Sequence, residues 1–152
     1  MLKSISYIVL FFFININCFA GNPMLRGSWK GFLISNTNDE DNRNGLPVTL
    51  TIVDDNDKGE IFGEMVVSYR YQTDVYRAKY KISGSIDYAN YIISLQQGDF
   101  IYNDVLPKGL KWCTGGGTFG VYRSSTAKKI YMDGFMQTNC GSEKLRLILI
   151  KM

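Results

Sequence analysis

The chain has 152 residues, which is enough for one domain, and it carries 17 basic and 14 acidic residues for a net charge of +3. These charges are scattered, so the sequence lacks the basic cluster that nucleic-acid binding requires. The chain contains no histidine, which excludes a Ser-His-Asp or Cys-His catalytic centre built from its own residues. We therefore expect a protein that is not an enzyme and has no nucleic-acid partner.

The first twenty residues have the layout of a signal peptide. Lys3 supplies a positive charge, Ile5–Ile14 is an apolar run, and Cys18-Phe19-Ala20 places small residues at positions −3 and −1 of a cut before Gly21. The apolar run is shorter than the ~20 residues that a spanning helix needs. The expected division is a signal peptide at 1–20 and a single domain at 21–152, with no integral membrane span in the mature chain.

Such a leader predicts a secreted or periplasmic protein. Lipid attachment at Cys18 is a less favoured alternative. Lipoprotein signals usually have an aliphatic residue three positions before the cysteine and a small residue directly before it, and here Asn15 and Asn17 occupy these positions.

Apolar and polar residues alternate with a period of two after Gly21. Val48–Ile52 and Tyr76–Ser83 show this alternation clearly, which is typical of an antiparallel sheet with one buried face. Polar and glycine-containing turns separate the alternating runs. We predict eight strands, at about 27–35, 46–54, 60–71, 75–87, 90–97, 110–122, 129–137 and 143–151.

The predicted fold is all-β, an eight-stranded antiparallel up-and-down β-barrel. Long adjacent hairpins such as 60–71 with 75–87 favour up-and-down order, and closure removes exposed edges. A β-sandwich is the alternative. The residues predicted to point inward are Trp29, Leu33, Leu50, Ile52, Ile61, Met65, Val67, Tyr80, Ile82, Ile93, Leu95, Trp112, Val121, Leu147 and Leu149.

Two cysteines remain after the leader, Cys113 and Cys140. Export and an even cysteine count favour one disulfide bond; two buried free thiols are the alternative. Two cysteines without a histidine make a poor zinc site, and we predict no metal and no cofactor. Gly115–Gly120 formally matches G-x-G-x-x-G, but Val121 continues a strand where a dinucleotide site needs a helix. A barrel corner is the expected role of these glycines.

The first predicted strand opens with Gly27-Ser28-Trp29, which resembles the Gly-x-Trp opening of lipocalins and other calycins. In that family the tryptophan plugs one end of the barrel, and an arginine near the end of the last strand packs over it. The resemblance therefore implies a barrel-end plug made by Trp29, with Arg146 as the nearest candidate for the arginine.

The chain is also similar to a group of secreted bacterial β-barrel domains. The shared features are a Gly-x-Trp-x-Gly start, the segment Ile82-Ser83-Gly84, and Trp112-Cys113 with a later cysteine, Cys140, before the final strand. This resemblance implies a disulfide that ties strand six to the start of strand eight. It implies no particular activity.

Tyrosines are concentrated in the middle of the chain, and a tyrosine ring offers both an apolar face and a hydroxyl group. Tyr69, Tyr71 and Tyr76 lie near one predicted hairpin end, and together with Trp112 they are the candidate ligand-binding residues. The expected function is a non-enzymatic binding module that holds a small apolar or amphipathic ligand in the barrel or at its mouth. A hollow barrel of this kind predicts a cavity of ~300 Å³ or more.

The alternative function is an envelope or secreted interaction or structural domain with a filled barrel. Its partner would be another envelope protein, whereas the partner of a binding module is a small apolar molecule. A hydrolase based on two carboxylates is the least favoured class, because no acidic pair has a spacing that singles it out.

Overall fold

The computed structural model describes residues 25–35, 44–55 and 58–152. The predicted signal peptide and Cys18 lie outside these residues. The described part of the chain forms eight strands and no helix. The strands are β1 (Gly27–Ile34), β2 (Leu46–Asp55), β3 (Glu60–Tyr71), β4 (Asp74–Asp87), β5 (Ile92–Asn103), β6 (Gly115–Arg123), β7 (Ile130–Thr138) and β8 (Lys144–Lys151).

The eight strands form a closed barrel in which each strand is antiparallel to the next one in the chain. Pairing between β1 and β8, for example Phe32 with Ile148, closes the barrel. The structure thus confirms the predicted up-and-down barrel and excludes the sandwich. Because the barrel is closed, each of its described strands pairs with a neighbour on both sides.

The boundaries of β5 and β6 differ from the prediction. β5 continues to Asn103, because its last residues pair with residues 78–80 of β4. β6 begins at Gly115, and residues 104–114 form a loop in place of the predicted start of this strand. Hydrogen bonds hold the loop: the backbone N–H of Asp104 donates to the carbonyl of Arg77 at 2.8 Å, and Trp112 Nε1 donates to the carbonyl of Asp104 at 2.8 Å.

The alternating apolar residues fill most of the barrel interior. Of the residues predicted to point inward, all are buried except Trp112, which is half-buried. The core also contains residues that the prediction did not include, among them two methionines that adapt to irregular gaps. These additional core residues are Leu25, Val48, Ala78, Ile86, Phe119, Met132 and Met136.

Glycine occupies an inward position in several strands, where a side chain would otherwise project into the barrel. A Cβ atom built at any of these glycines would overlap a backbone carbonyl oxygen of the neighbouring strand. Neighbouring strands approach each other so closely at these points that only glycine fits. Glycine at such positions is typical of the corners at which the strands of a small barrel bend. The positions are Gly31, Gly63, Gly84, Gly117 and Gly134.

This interpretation predicts different effects for two glycines of the same strand. We expect Gly117→Ala to lower the free energy of unfolding by about 1–3 kcal/mol, because its Cβ would overlap the carbonyl oxygen of Phe135. Gly120→Ala is the control: its Cβ would lie 3.9 Å from the carbonyl oxygen of Asp133, in ordinary van der Waals contact, so the change should stay within about 0.5 kcal/mol. Urea denaturation of both variants measures the difference, and equal losses would contradict the corner role of Gly117.

Candidate functional site

Trp29 lies near the start of β1, at one end of the barrel. This side chain is fully buried, and its Nε1 donates a hydrogen bond to the carbonyl oxygen of Leu25 at 2.9 Å. Lys151, the residue paired with Trp29 on β8, places its Nζ 5.9 Å from the centroid of the tryptophan ring. An ammonium group at this distance is attracted to the face of an indole ring.

The structure corrects the expected position of Arg146. Arg146 pairs with Ile34, at the opposite end of β1 from Trp29. Its guanidinium lies on the outer face and makes two hydrogen bonds to the carboxylate of Asp133, at 3.0 and 2.7 Å. The reason is the alternation along β8: Leu147 and Leu149 point inward, so Arg146 points outward. The cation beside Trp29 is therefore Lys151.

The opposite end of the barrel contains a cavity of about 220 Å³, which we call the end chamber. Its walls are mainly apolar side chains from the strand ends, and the loop 104–114, called here the covering loop, contributes further apolar side chains. The strand residues with apolar side chains are Leu33, Leu46, Val67, Met136 and Leu145, and those of the covering loop are Leu106, Leu110 and Trp112.

A disulfide bond attaches the covering loop to the rest of the barrel. Cys113 and Cys140 are bonded, with their Cα atoms 5.7 Å apart, which confirms the predicted pair. Cys113 lies at the end of the covering loop just before β6, and Cys140 lies in the connection from β7 to β8. Asn139 strengthens the same link, because its side chain accepts a hydrogen bond from the backbone of Thr114 at 3.1 Å and donates one to its hydroxyl at 3.0 Å.

Few polar groups face the end chamber. Gln97 is 6% exposed, and its Nε2 donates to the sulfur of Met65 at 3.3 Å. The hydroxyl of Tyr80 donates to the carbonyl oxygen of Cys113 at 3.1 Å. Burial raises the pKa of Tyr80 to about 12, so this hydroxyl stays neutral at ordinary pH. Lys111 is the one charged residue among the described residues that line the chamber.

Two of the four predicted ligand-binding residues line the end chamber. Tyr69 and Trp112 do so, whereas Tyr71 and Tyr76 do not. Tyr71 lies at the end of the β3–β4 hairpin, beyond the chamber, and is exposed. Tyr76 pairs across the hairpin with Tyr69 and is half-buried. Of the three tyrosines predicted to bind a ligand, Tyr69 is therefore the one that lines the end chamber.

Gln97 was not predicted as a site residue, although the sequence carries a signal for it. Ile93, Leu95 and Gln97 follow one another at alternate positions of β5, and all three are buried. An alternation that places a polar residue on the buried face is an informative departure from the pattern, because buried polar groups need partners.

Within the described residues, no group of three or more cysteine, aspartate or glutamate side chains is placed so that it could hold a metal ion. No helix in that part of the chain is long and apolar enough to cross a membrane. Comparison of the chain with protein-family models, with curated proteins and with solved structures finds no match. The function is therefore argued from the geometry of the barrel itself.

The size of the end chamber defines what it can accommodate. Its volume of about 220 Å³ is below the ~300 Å³ expected for a hollow barrel, because bulky side chains fill the rest of the interior. It exceeds the ~150 Å³ of an apolar cavity that accepts benzene. The chamber thus has the dimensions for one compact molecule, larger than benzene and smaller than an ordinary drug-sized ligand.

Proposed function

We propose that the protein is a non-enzymatic binding module that holds one small apolar or amphipathic molecule in the end chamber. The observation that carries the proposal is the chamber itself: about 220 Å³ with apolar walls, at one end of a barrel that is otherwise filled. Ligand sites are typically concave and apolar with a small number of polar groups. Gln97 and Lys111 supply polar groups here.

We further propose that the barrel is calycin-like and that the protein is exported. The calycin likeness is supported by the up-and-down order of eight strands and by Trp29, which is buried at the closed end next to a cation. Export is supported by the signal-like residues 1–20 and by the bond between Cys113 and Cys140, because structural disulfides persist mainly in oxidising compartments.

A second candidate function is an interaction domain that binds another envelope protein through its outer surface. The observation that favours it is a row of apolar side chains across β2, β1 and β8, in which Phe32 pairs with Pro47 on one side and with Ile148 on the other. Phe32 is 45% exposed. A native mass spectrum of the protein purified from its own source separates the two functions: a co-purifying small molecule supports the binding module, and a co-purifying protein supports the second candidate.

We expect toluene to bind in the end chamber with a dissociation constant on the order of 0.1–1 mM, which corresponds to about 4–5.5 kcal/mol. Leu145→Trp should weaken this binding at least tenfold, because Leu145 lines the chamber and a larger ring would occupy it. Ile92→Trp is the matched control, since Ile92 is an exposed residue on the outside of β5. Titrations followed by amide NMR shifts measure both effects. Equal binding by the two variants would contradict the proposed site.

A further inference from the structure

The side-chain oxygen of Gln97 is a buried acceptor that lacks a partner within the described chain. Gln97 is more than nine-tenths buried and lines the end chamber, and its side chain donates a hydrogen bond from Nε2 to the sulfur of Met65. No described residue donates a hydrogen bond to its Oε1 atom. Buried amide oxygens almost always have a donor, and one without a donor carries a desolvation penalty.

The orientation of this amide follows from the chemistry of its neighbour. The thioether sulfur of Met65 can accept a hydrogen bond but cannot donate one. If the amide were rotated by half a turn, two acceptors would face each other and the contact would be lost. Nε2 therefore faces Met65, and Oε1 is left as the acceptor that a molecule in the chamber can reach.

The charges around the chamber restrict the donor that fits. Lys111 is positive, and no carboxylate is present among the described residues that line the chamber. An ammonium group would enter an apolar space beside a like charge and without a counter-ion, which is unfavourable. A neutral hydroxyl or amide N–H can donate a hydrogen bond to Oε1 of Gln97 without this cost.

We propose that the ligand of the end chamber is a compact apolar molecule with a neutral hydroxyl or amide N–H group, whose proton is donated to Oε1 of Gln97. This inference rests on the proposed binding function and specifies its ligand class. Gln97 then acts as the specificity-determining residue, since a site built to bind a hydroxyl rejects an analogue that lacks it more strongly than apolar packing alone can.

Three uncharged probes of similar shape test the ligand class with the full barrel. p-Cresol carries a hydroxyl donor, 4-methylanisole keeps the oxygen without the donor, and toluene has neither. We expect p-cresol to bind about tenfold more tightly than 4-methylanisole, with a shift of the side-chain amide resonances of Gln97. Benzylammonium, a cationic probe, should bind more weakly than toluene. Tighter binding of 4-methylanisole or of benzylammonium than of p-cresol would overturn the inference.

Substitution of Gln97 completes the test. In Gln97→Leu, the dissociation constant of toluene divided by that of p-cresol should fall about tenfold from its wild-type value. Comparing this ratio between the two proteins cancels differences in the solubility of the probes. Gln97→Met, with a side chain of similar length, serves as a second variant. If either folded variant keeps the wild-type ratio, the inference fails.

The outcomes separate this inference from the proposed function. If toluene binds in the chamber and p-cresol shows no preference over 4-methylanisole, the binding function stands and the ligand class is overturned. If no probe binds to the wild-type protein, both are overturned. The wild-type probe series decides the ligand class even where a Gln97 variant does not fold.

Discussion

Replacement of Trp29 by alanine is expected to lower the free energy of unfolding by about 3–5 kcal/mol, the usual cost of removing a large aromatic side chain from a core. Trp29 is fully buried at the start of β1, where it pairs with Lys151 of β8, so its loss leaves a cavity at this end of the barrel. It also leaves the carbonyl oxygen of Leu25 without the hydrogen bond from Nε1. Since small domains are stable by only about 5–15 kcal/mol, this loss is a large share of the total.

The chain offers a matched control, because it contains one other tryptophan, Trp112. Trp112 is half-buried in the covering loop and contacts the edge of the core. We expect Trp112→Ala to cost about 1–2 kcal/mol, clearly less than Trp29→Ala, and to weaken probe binding in the end chamber. Urea denaturation followed by far-ultraviolet circular dichroism compares the variants. Equal losses would show that Trp29 does not act as a plug.

The fold could be predicted because the alternation of side chains is nearly free of faults. The strands β1, β2, β3, β4, β7 and β8 begin and end within a residue or so of their predicted limits. Each residue from Val48 to Ile52 faces the opposite side from its neighbour, and a shift of one position would expose the whole apolar set. The core therefore specified both the strands and their register.

The ends of β5 and β6 could not be predicted from the same signal. Alternation stops near Gly98, yet β5 continues to Asn103, because pairing with β4 supplies hydrogen bonds to its last residues. Lys111 and Trp112 continue a strand-like pattern but lie in the covering loop, where the bond between Cys113 and Cys140 holds the chain. In both places contacts between distant segments override the local pattern.

The candidate site was only partly predictable for a related reason. Tyr69 and Trp112 were identified as ligand-binding candidates from their amphipathic rings, and both line the end chamber. Leu106 and Leu110 gave no signal, because their contribution depends on how the covering loop folds over the barrel end. The position of Arg146 was carried over from a resemblance, whereas the alternation along β8 already placed it on the outer face.

Removal of the disulfide bond by the double substitution of Cys113 and Cys140 with serine is the second large effect that we expect. The two cysteines are 27 residues apart in the sequence. The entropy model for a closed loop of this length gives about 3.5 kcal/mol of stabilisation, which corresponds to a fall in the melting temperature on the order of 10 °C for a domain of this size. Thermal and urea denaturation measure the loss.

The double-serine variant should also bind the probe more weakly than its loss of stability alone would cause. The disulfide holds the end of the covering loop, which supplies Leu106, Leu110 and Trp112 to the end chamber. Without it the loop is retained on the barrel by the hydrogen bonds from Asp104 to Arg77 and from Tyr80 to Cys113 and by the contacts between Thr114 and Asn139. These are single hydrogen bonds, each worth about 0.5–1.5 kcal/mol, so the loop should open in part and toluene binding should weaken about tenfold at temperatures where the variant is still folded.

A reducing agent provides the control for this experiment. Reduction of the wild-type protein should reproduce both effects, whereas the double-serine variant should not respond to the reductant, because it has no disulfide left to break. If the folded double-serine variant binds toluene as tightly as the wild type, the covering loop is held by its hydrogen bonds and its packing alone. The disulfide would then stabilise the barrel without shaping the end chamber.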